Sequence, residues 1–142
     1  MNLAIIDYGS GNLKSVENAF KNSINKNNLK CTIEVTNNLD LISKADHLVL
    51  PGVGSFPDCK KGLQEIVGLI ELLTDEVIYK KKKFLGICVG MQLMVDYSFE
   101  KKRTSGFGWL NGKFKKIKID GLDYLGRFHK IPHMGWNNLN IE

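Results

Sequence analysis

The stretch Gly86-Ile87-Cys88-Val89-Gly90 sets one thiol between two glycines, where an apolar strand-like run gives way to a helix-like one. A tight strand-to-helix turn can hold a reactive side chain above a sheet in a strained backbone, and crowding there requires nearly side-chain-free residues two before and two after it. Gly86 and Gly90 meet that requirement. Gly90 also costs a helix start about 1 kcal/mol relative to alanine, so packing or function keeps it. A thiol at a helix N-terminus faces unpaired N–H groups and the positive end of the dipole, both of which favour thiolate. The N–H of Val89 stands where an oxyanion would form. The chemistry expected of Cys88 is nucleophilic attack. The other two cysteines, Cys31 and Cys59, have no such surroundings and read as small core residues.

A second stretch, Leu50-Pro51-Gly52-Val53-Gly54-Ser55-Phe56, closes a strand with a glycine-rich turn. Glycine lets the backbone approach a ligand closely and turn an N–H toward it. In a doubly wound sheet both this turn and the cysteine turn lie at the carboxyl ends of strands, where ligands bind. The two are expected to face one another across one pocket. Phosphate-loop readings fit poorly. Gly9 to Ser15 lacks the third glycine of a dinucleotide fingerprint, and the segment from Gly52 to Gly62 lacks the lysine and hydroxyl spacing of a P-loop.

The elements that must position these turns follow from periodicity. Strands are expected at 3–7, 31–36, 47–52 and 84–88, the second nearer a sheet edge because it alternates apolar and polar residues. Leu13, Val16, Phe20 and Ile24 mark an amphipathic helix. Residues 39–46 read as a short helix or turn. Leu63, Ile66, Val67, Ile70 and Leu73 mark one long helix extending toward Val77, and 90–97 begins another. Alternating strands and helices predict an α/β fold: a doubly wound, mostly parallel sheet with helices on both faces, in a single domain over 1–142. After about residue 100 a hairpin is expected, turning at Asn111-Gly112. The final residues, Asn137 to Glu142, read as the start of an element, so the C-terminal part of the fold is expected to be incomplete.

Composition narrows the classes. The chain has 142 residues, 43% hydrophobic and 25% charged, which suits a globular protein. No apolar run approaches a membrane span, and the N-terminus lacks the features of an export signal, so a cytoplasmic protein is expected. Three cysteines without CxxC pairing argue against a disulfide framework or a zinc site, and no metal is expected. The net charge of +5 is spread over Lys80–Lys83, Lys101–Arg103 and Lys113–Lys118. These clusters carry no nucleic-acid motif and read as solvated surface.

Four stretches occur in order: Ile5 to Val16 (IIDYGSGNLKSV), Leu50 to Phe56 (LPGVGSF), Leu85 to Met94 (LGICVGMQLM) and Ile131 to Asn137 (IPHMGWN). Together they resemble the glutamine amidotransferase subunits of imidazole glycerol phosphate synthase. These belong to the triad-type, class I glutamine amidotransferases, whose fold is flavodoxin-like. The resemblance spans essentially the whole chain. It implies that Cys88 attacks the carboxamide of glutamine, forming a glutamyl thioester and releasing ammonia, and that no cofactor is needed. It also implies an oxyanion hole from the N–H groups of Val53 and Val89, with the Gly52–Val53 peptide reorienting before it serves. Gly52, Gly54 and Gln92 would hold the substrate. Asn12, Met134 and Trp136 would lie near the interface with a (β/α)8-barrel cyclase subunit that receives the ammonia in histidine biosynthesis.

One part of the family pattern is absent from the 142 residues. The resemblance requires a histidine and a glutamate from a His-Pro-Glu motif, and the sequence contains none. Its histidines are His47, which precedes the third strand and reads as ordinary, and His129 and His133, which flank Lys130-Ile131-Pro132 and have no carboxylate at orienting spacing. The domain is therefore expected to be cut before that segment, and the chain alone to have little glutaminase activity. Two alternatives remain: a paralogous glutaminase that feeds ammonia to another acceptor, such as a sugar amidotransferase, and a non-catalytic cyclase-binding module.

Overall fold

The computed structural model describes residues 1–115 and, beyond them, Gly121, Trp136 and Asn138. Its centre is strand β1 (Asn2–Ile6), buried from Leu3 onward. Because side chains alternate across a strand, Leu3 and Ile5 pack on one face while Ala4 and Ile6 pack on the other. A strand covered on both sides has no need of polar alternation, which is why this one reads as a continuous apolar run.

Helix α1 (Leu13–Lys26) turns Leu13, Val16 and Phe20 onto the face of Leu3, Ile5 and Val49. Strand β2 (Thr32–Thr36) pairs in parallel with β1, from Asn2 opposite Thr32 to Ile6 opposite Thr36. A short helix, α2 (Leu39–Lys44), capped by the Asn38 side chain, leads into β3 (His47–Leu50) on the other flank of β1. Strand β4 (Lys83–Gly86) pairs in parallel with β3. The order β2-β1-β3-β4, all parallel, is the doubly wound arrangement. With α1 on one face and α2 and the following helices on the other, the expected α/β fold holds, and β2 does lie at an edge.

Three sequence expectations need correction. The long helix of 63–77 is instead α3 (Phe56–Gln64), α4 (Leu69–Thr74) and a single wide π-helical turn over Asp75–Tyr79. Gly68, at φ 82, stands between α3 and α4 in a conformation that helices do not contain, and Val67 beside it is exposed. Helix α3 also starts earlier than its apolar pattern, because the Ser55 side chain caps it.

The helix expected over 90–97 stops after one turn, as α5 (Val89–Gln92), and is followed by strand β5 (Val95–Ser98). The segment 106–110 captures the carbonyls a longer helix would have used. Phe107 N–H donates to Leu93 at 2.7 Å, Trp109 N–H to Met94 at 2.9 Å, and Gly106 N–H to Asp96 at 2.8 Å. The Asn111-Gly112 hairpin is not formed. Both residues lie inside β7 (Leu110–Phe114), which runs parallel to β5, while β6 (Thr104–Ser105) pairs antiparallel on its other side. The Gly112 N–H is fixed by Asp96 Oδ2 at 2.9 Å.

Members of two of the basic clusters are engaged within the molecule. Lys80 and Lys82 both bridge to buried Glu76, at 2.9 and 2.6 Å, and Lys101 pairs with Asp58 at 2.9 Å. Burial alone would raise the Glu76 carboxyl, but its bonds to Lys80 and Lys82 outweigh this and hold it below the ordinary carboxylate range. A folded value below the unfolded one contributes stability that is present above the unfolded value, about 4.3, and is lost as pH falls through the folded one. Lys82→Met, which leaves Glu76 with one exposed partner, is expected to cost about 3 kcal/mol at pH 7. Its urea midpoint, followed from pH 7 to pH 3, should fall less steeply below about pH 4 than that of the unmodified protein.

Among the described residues no helix is long and apolar enough to cross a membrane.

Candidate functional site

Strand β4 delivers the chain to Cys88, and α5 begins directly after it. Cys88 has φ 54 and ψ −115, a left-handed conformation that a side-chain-bearing residue adopts at a cost of about 1–3 kcal/mol. That strain persists because the turn is held on both sides. The Ile87 N–H donates to the Leu50 carbonyl at 2.9 Å, and the N–H groups of Met91 and Gln92 both reach the Cys88 carbonyl at 3.0 Å. The thiol itself is exposed, whereas Cys59 is buried. Cys31 is partly covered. The strand-to-helix turn expected from the sequence is present.

The two glycines answer to different neighbours. A Cβ on Gly86 would stand 2.7 Å from the Gly90 carbonyl oxygen and 2.6 Å from the Met91 Cα, which is the crowding within the turn that the sequence implied. A Cβ on Gly90 would stand 1.9 Å from the Leu50 carbonyl oxygen, so Gly90 is fixed by the neighbouring strand end. The helix dipole contributes little at Cys88, since α5 is one turn long. What remains is local. Val89, buried at the first helical position, has no intrahelical acceptor for its N–H.

The glycine turn after β3 lies against this elbow. A Cβ on Gly52 would fall 2.6 Å from the Gly90 nitrogen and 3.0 Å from both the Tyr8 hydroxyl and the Val89 Cβ. Gly52 is buried, Val53 exposed, and Gly54 sits at φ 118. The two turns therefore come together at the carboxyl ends of β3 and β4, as expected, but at Gly52 and Gly90 they touch directly instead of facing each other across a pocket. The Val53 N–H is already engaged, donating to Ser10 Oγ at 3.2 Å. Gln92 is half-buried on α5, one turn beyond the cysteine.

Sequence reasoning missed two parts of this region. The Tyr8 hydroxyl, buried, donates to the Pro51 carbonyl at 2.7 Å, and Ser10 Oγ donates to the Val53 carbonyl at 2.7 Å. The stretch that carries them was legible as a turn after β1 and as one of the four family-like stretches, with no role for either side chain. Glu100 also caps α3, its Oε2 accepting from the Phe56 N–H at 2.6 Å.

Asn12 caps α1, its Oδ1 accepting from the Ser15 N–H at 3.2 Å, and its side chain is exposed beside the glycine turn. Trp136 is exposed. Met134, His129 and His133 lie outside the described residues. His47 begins β3 opposite Lys83, three residues before the strand end that touches the elbow. At about 3.3 Å per residue that is on the order of 10 Å from the site, so His47 is no base for Cys88.

The model of the glutamine amidotransferase class-I family matches residues 4–139. The chain is 41% identical over all of its 142 residues to the "Imidazole glycerol phosphate synthase subunit HisH" of Brucella suis, and covers 63% of that protein. It is 45% identical over 141 residues, 99% of its length, to the protein of the same name from Pelagibacter ubique, covering 64% of it. With the Rhodopseudomonas palustris protein of that name the identity is 46% over 140 residues, 99% of this chain and 62% of the relative. The chain thus spans somewhat under two thirds of the length of these relatives. A family match over nearly the whole chain, on a parallel sheet with a strained cysteine at its elbow, places this protein in the class-I glutamine amidotransferase family.

Proposed function

We propose that this chain is the glutaminase part of an imidazole glycerol phosphate synthase, releasing ammonia from glutamine for a (β/α)8-barrel cyclase subunit in histidine biosynthesis. The observation that carries the reading is Cys88, exposed at φ 54 between β4 and α5, in an elbow whose next two residues, Val89 and Gly90, pack on Gly52. The names of the relatives support the pathway.

In this reading the Cys88 thiolate attacks the carboxamide carbon of glutamine. The carbonyl oxygen becomes an oxyanion, received by the N–H groups of Val89 and Val53. Collapse breaks the carbon–nitrogen bond. The nitrogen takes a proton and leaves as ammonia, and water then cleaves the glutamyl thioester to glutamate. Gly52 and Gly54 keep the turn open to the substrate, and Gln92 hydrogen-bonds its polar end. Asn12, Met134 and Trp136 contribute to the face that meets the cyclase, in a cytoplasmic heterodimer. No step calls for a metal or cofactor.

The step that lacks a residue is proton transfer. The 142 residues contain no His-Pro-Glu, and His47 stands at the wrong end of its strand. The 142-residue chain by itself is therefore expected to release ammonia from glutamine at no more than about a thousandth of the rate of a complete enzyme, as triad deletions elsewhere suggest. A coupled glutamate assay checks this. Turnover at the ordinary enzyme scale of about 10 per second, lost on Cys88→Ser, would show that the base has been misjudged.

Co-elution with a purified cyclase barrel tests the pathway. Complex formation with that barrel supports the histidine-pathway reading. Complex formation only with a sugar-modifying acceptor enzyme would favour the paralogue.

A further inference from the structure

The turn after β1 touches the glycine turn at two points, one on each side of the peptide between Gly52 and Val53. On one side the Tyr8 hydroxyl donates to the Pro51 carbonyl at 2.7 Å. The ring is buried, and Gly62 lets the backbone of α3 pass close to it: a Cβ there would stand 2.8 Å from the Tyr8 carbonyl and 3.2 Å from the ring. On the other side one hydroxyl, that of Ser10, gives its proton to the Val53 carbonyl at 2.7 Å and accepts the Val53 N–H at 3.2 Å. Cys59 stands behind it, with Sγ 3.4 Å from Ser10 Oγ and 3.6 Å from the Val53 carbonyl.

We propose that Tyr8 and Ser10 are positioning residues acting on the Val53 N–H in opposite senses: Tyr8 fixes the pivot about which the peptide turns, and Ser10 restrains it in the resting orientation. The inference rests on the reading of Val53 as an oxyanion donor. While Ser10 holds the Val53 N–H, that N–H is committed to a neutral hydroxyl and must leave it to receive an oxyanion. Pro51 must stay in place as this happens, or the N–H would swing to no fixed point. Burial, with the Cys59 and Cys88 thiols nearby, pushes the Tyr8 phenol well above its usual value, so it remains a donor throughout the working pH range. The Ser10 bonds are the ones that open, since their loss costs only about 0.5–1.5 kcal/mol each.

Two alkylating agents separate these roles. A glutamine-shaped chloroketone passes through an oxyanion at the site, whereas iodoacetamide displaces iodide directly and needs no oxyanion donor. The readout is the ratio of the two rates at Cys88, by peptide mass spectrometry, so a change in folding or thiol exposure cancels. Ser10→Ala is expected to raise the ratio about 3- to 10-fold, the equivalent of one released hydrogen bond, and Ser10→Thr, which keeps a hydroxyl, to restore it. Tyr8→Phe is expected to lower the ratio by a similar factor. Ratios unchanged within twofold in both variants, or moving in the same direction, would overturn the proposal. An unmodified protein in which the chloroketone shows no preference for Cys88 over Cys31 would instead overturn the glutaminase reading beneath it.

Discussion

Gly90→Ala is expected to destabilise the protein by about 3 kcal/mol or more, at the upper end of the range for overpacked sites. The added methyl would lie 1.9 Å from the Leu50 carbonyl oxygen, well inside any real contact distance. That oxygen is backbone, already bonded to the Ile87 N–H at 2.9 Å, and cannot rotate away as a side chain could. The end of β3 and the elbow would have to separate, which also breaks the packing of Gly52 on Gly90. For a chain of this size such a loss lowers the melting temperature by roughly 10 °C. Circular dichroism melts check it, and a change under about 2 °C would mean that the elbow is far more pliant than its contacts imply.

Cys88→Ser is expected to leave the fold intact and remove the reactivity. The side chain is exposed and the replacement nearly isosteric, so the melting temperature should stay within about 2 °C. The chemical effect is large because a thiol is strongly nucleophilic, whereas a serine hydroxyl without a base is not. Labelling by a thiol reagent should lose its fast phase entirely, a drop of at least about 10³-fold at that position. Slow labelling of Cys31 and Cys59 would remain. A fast phase that survives in the variant would assign the reactive thiol elsewhere.

The sheet was legible in the sequence because its strands obey a short-range rule. β1, β3 and β4 are apolar runs closed by glycine or proline, and β2 alternates. The Cys88 turn was legible for a related reason, since glycine at both flanking positions has few other uses. What failed did so through long-range competition. Residues 90–97 have a helical pattern, yet the carbonyls of Leu93 to Asp96 bond to the backbone of 106–110. Asn111-Gly112 has the composition of a turn, but Asp96 captures the Gly112 N–H and the pair is drawn into a parallel strand. The long helix of 63–77 hid its break in Gly68, whose left-handed conformation is not written in periodicity. Tyr8 and Ser10 were missed for the same reason, because their partners, Pro51 and Val53, are 43 residues away.

The proposed function requires that Cys88 be held for attack on a carboxamide beside N–H groups that can receive the resulting charge. Alkylation of the unmodified 142-residue chain by a glutamine-shaped chloroketone, with and without excess glutamine, tests it most directly. A single adduct on Cys88, slowed by glutamine, is expected, with Cys31 and Cys59 unlabelled on the same timescale. Equal labelling of Cys31 and Cys88, or labelling of Cys88 that glutamine does not slow, would contradict it.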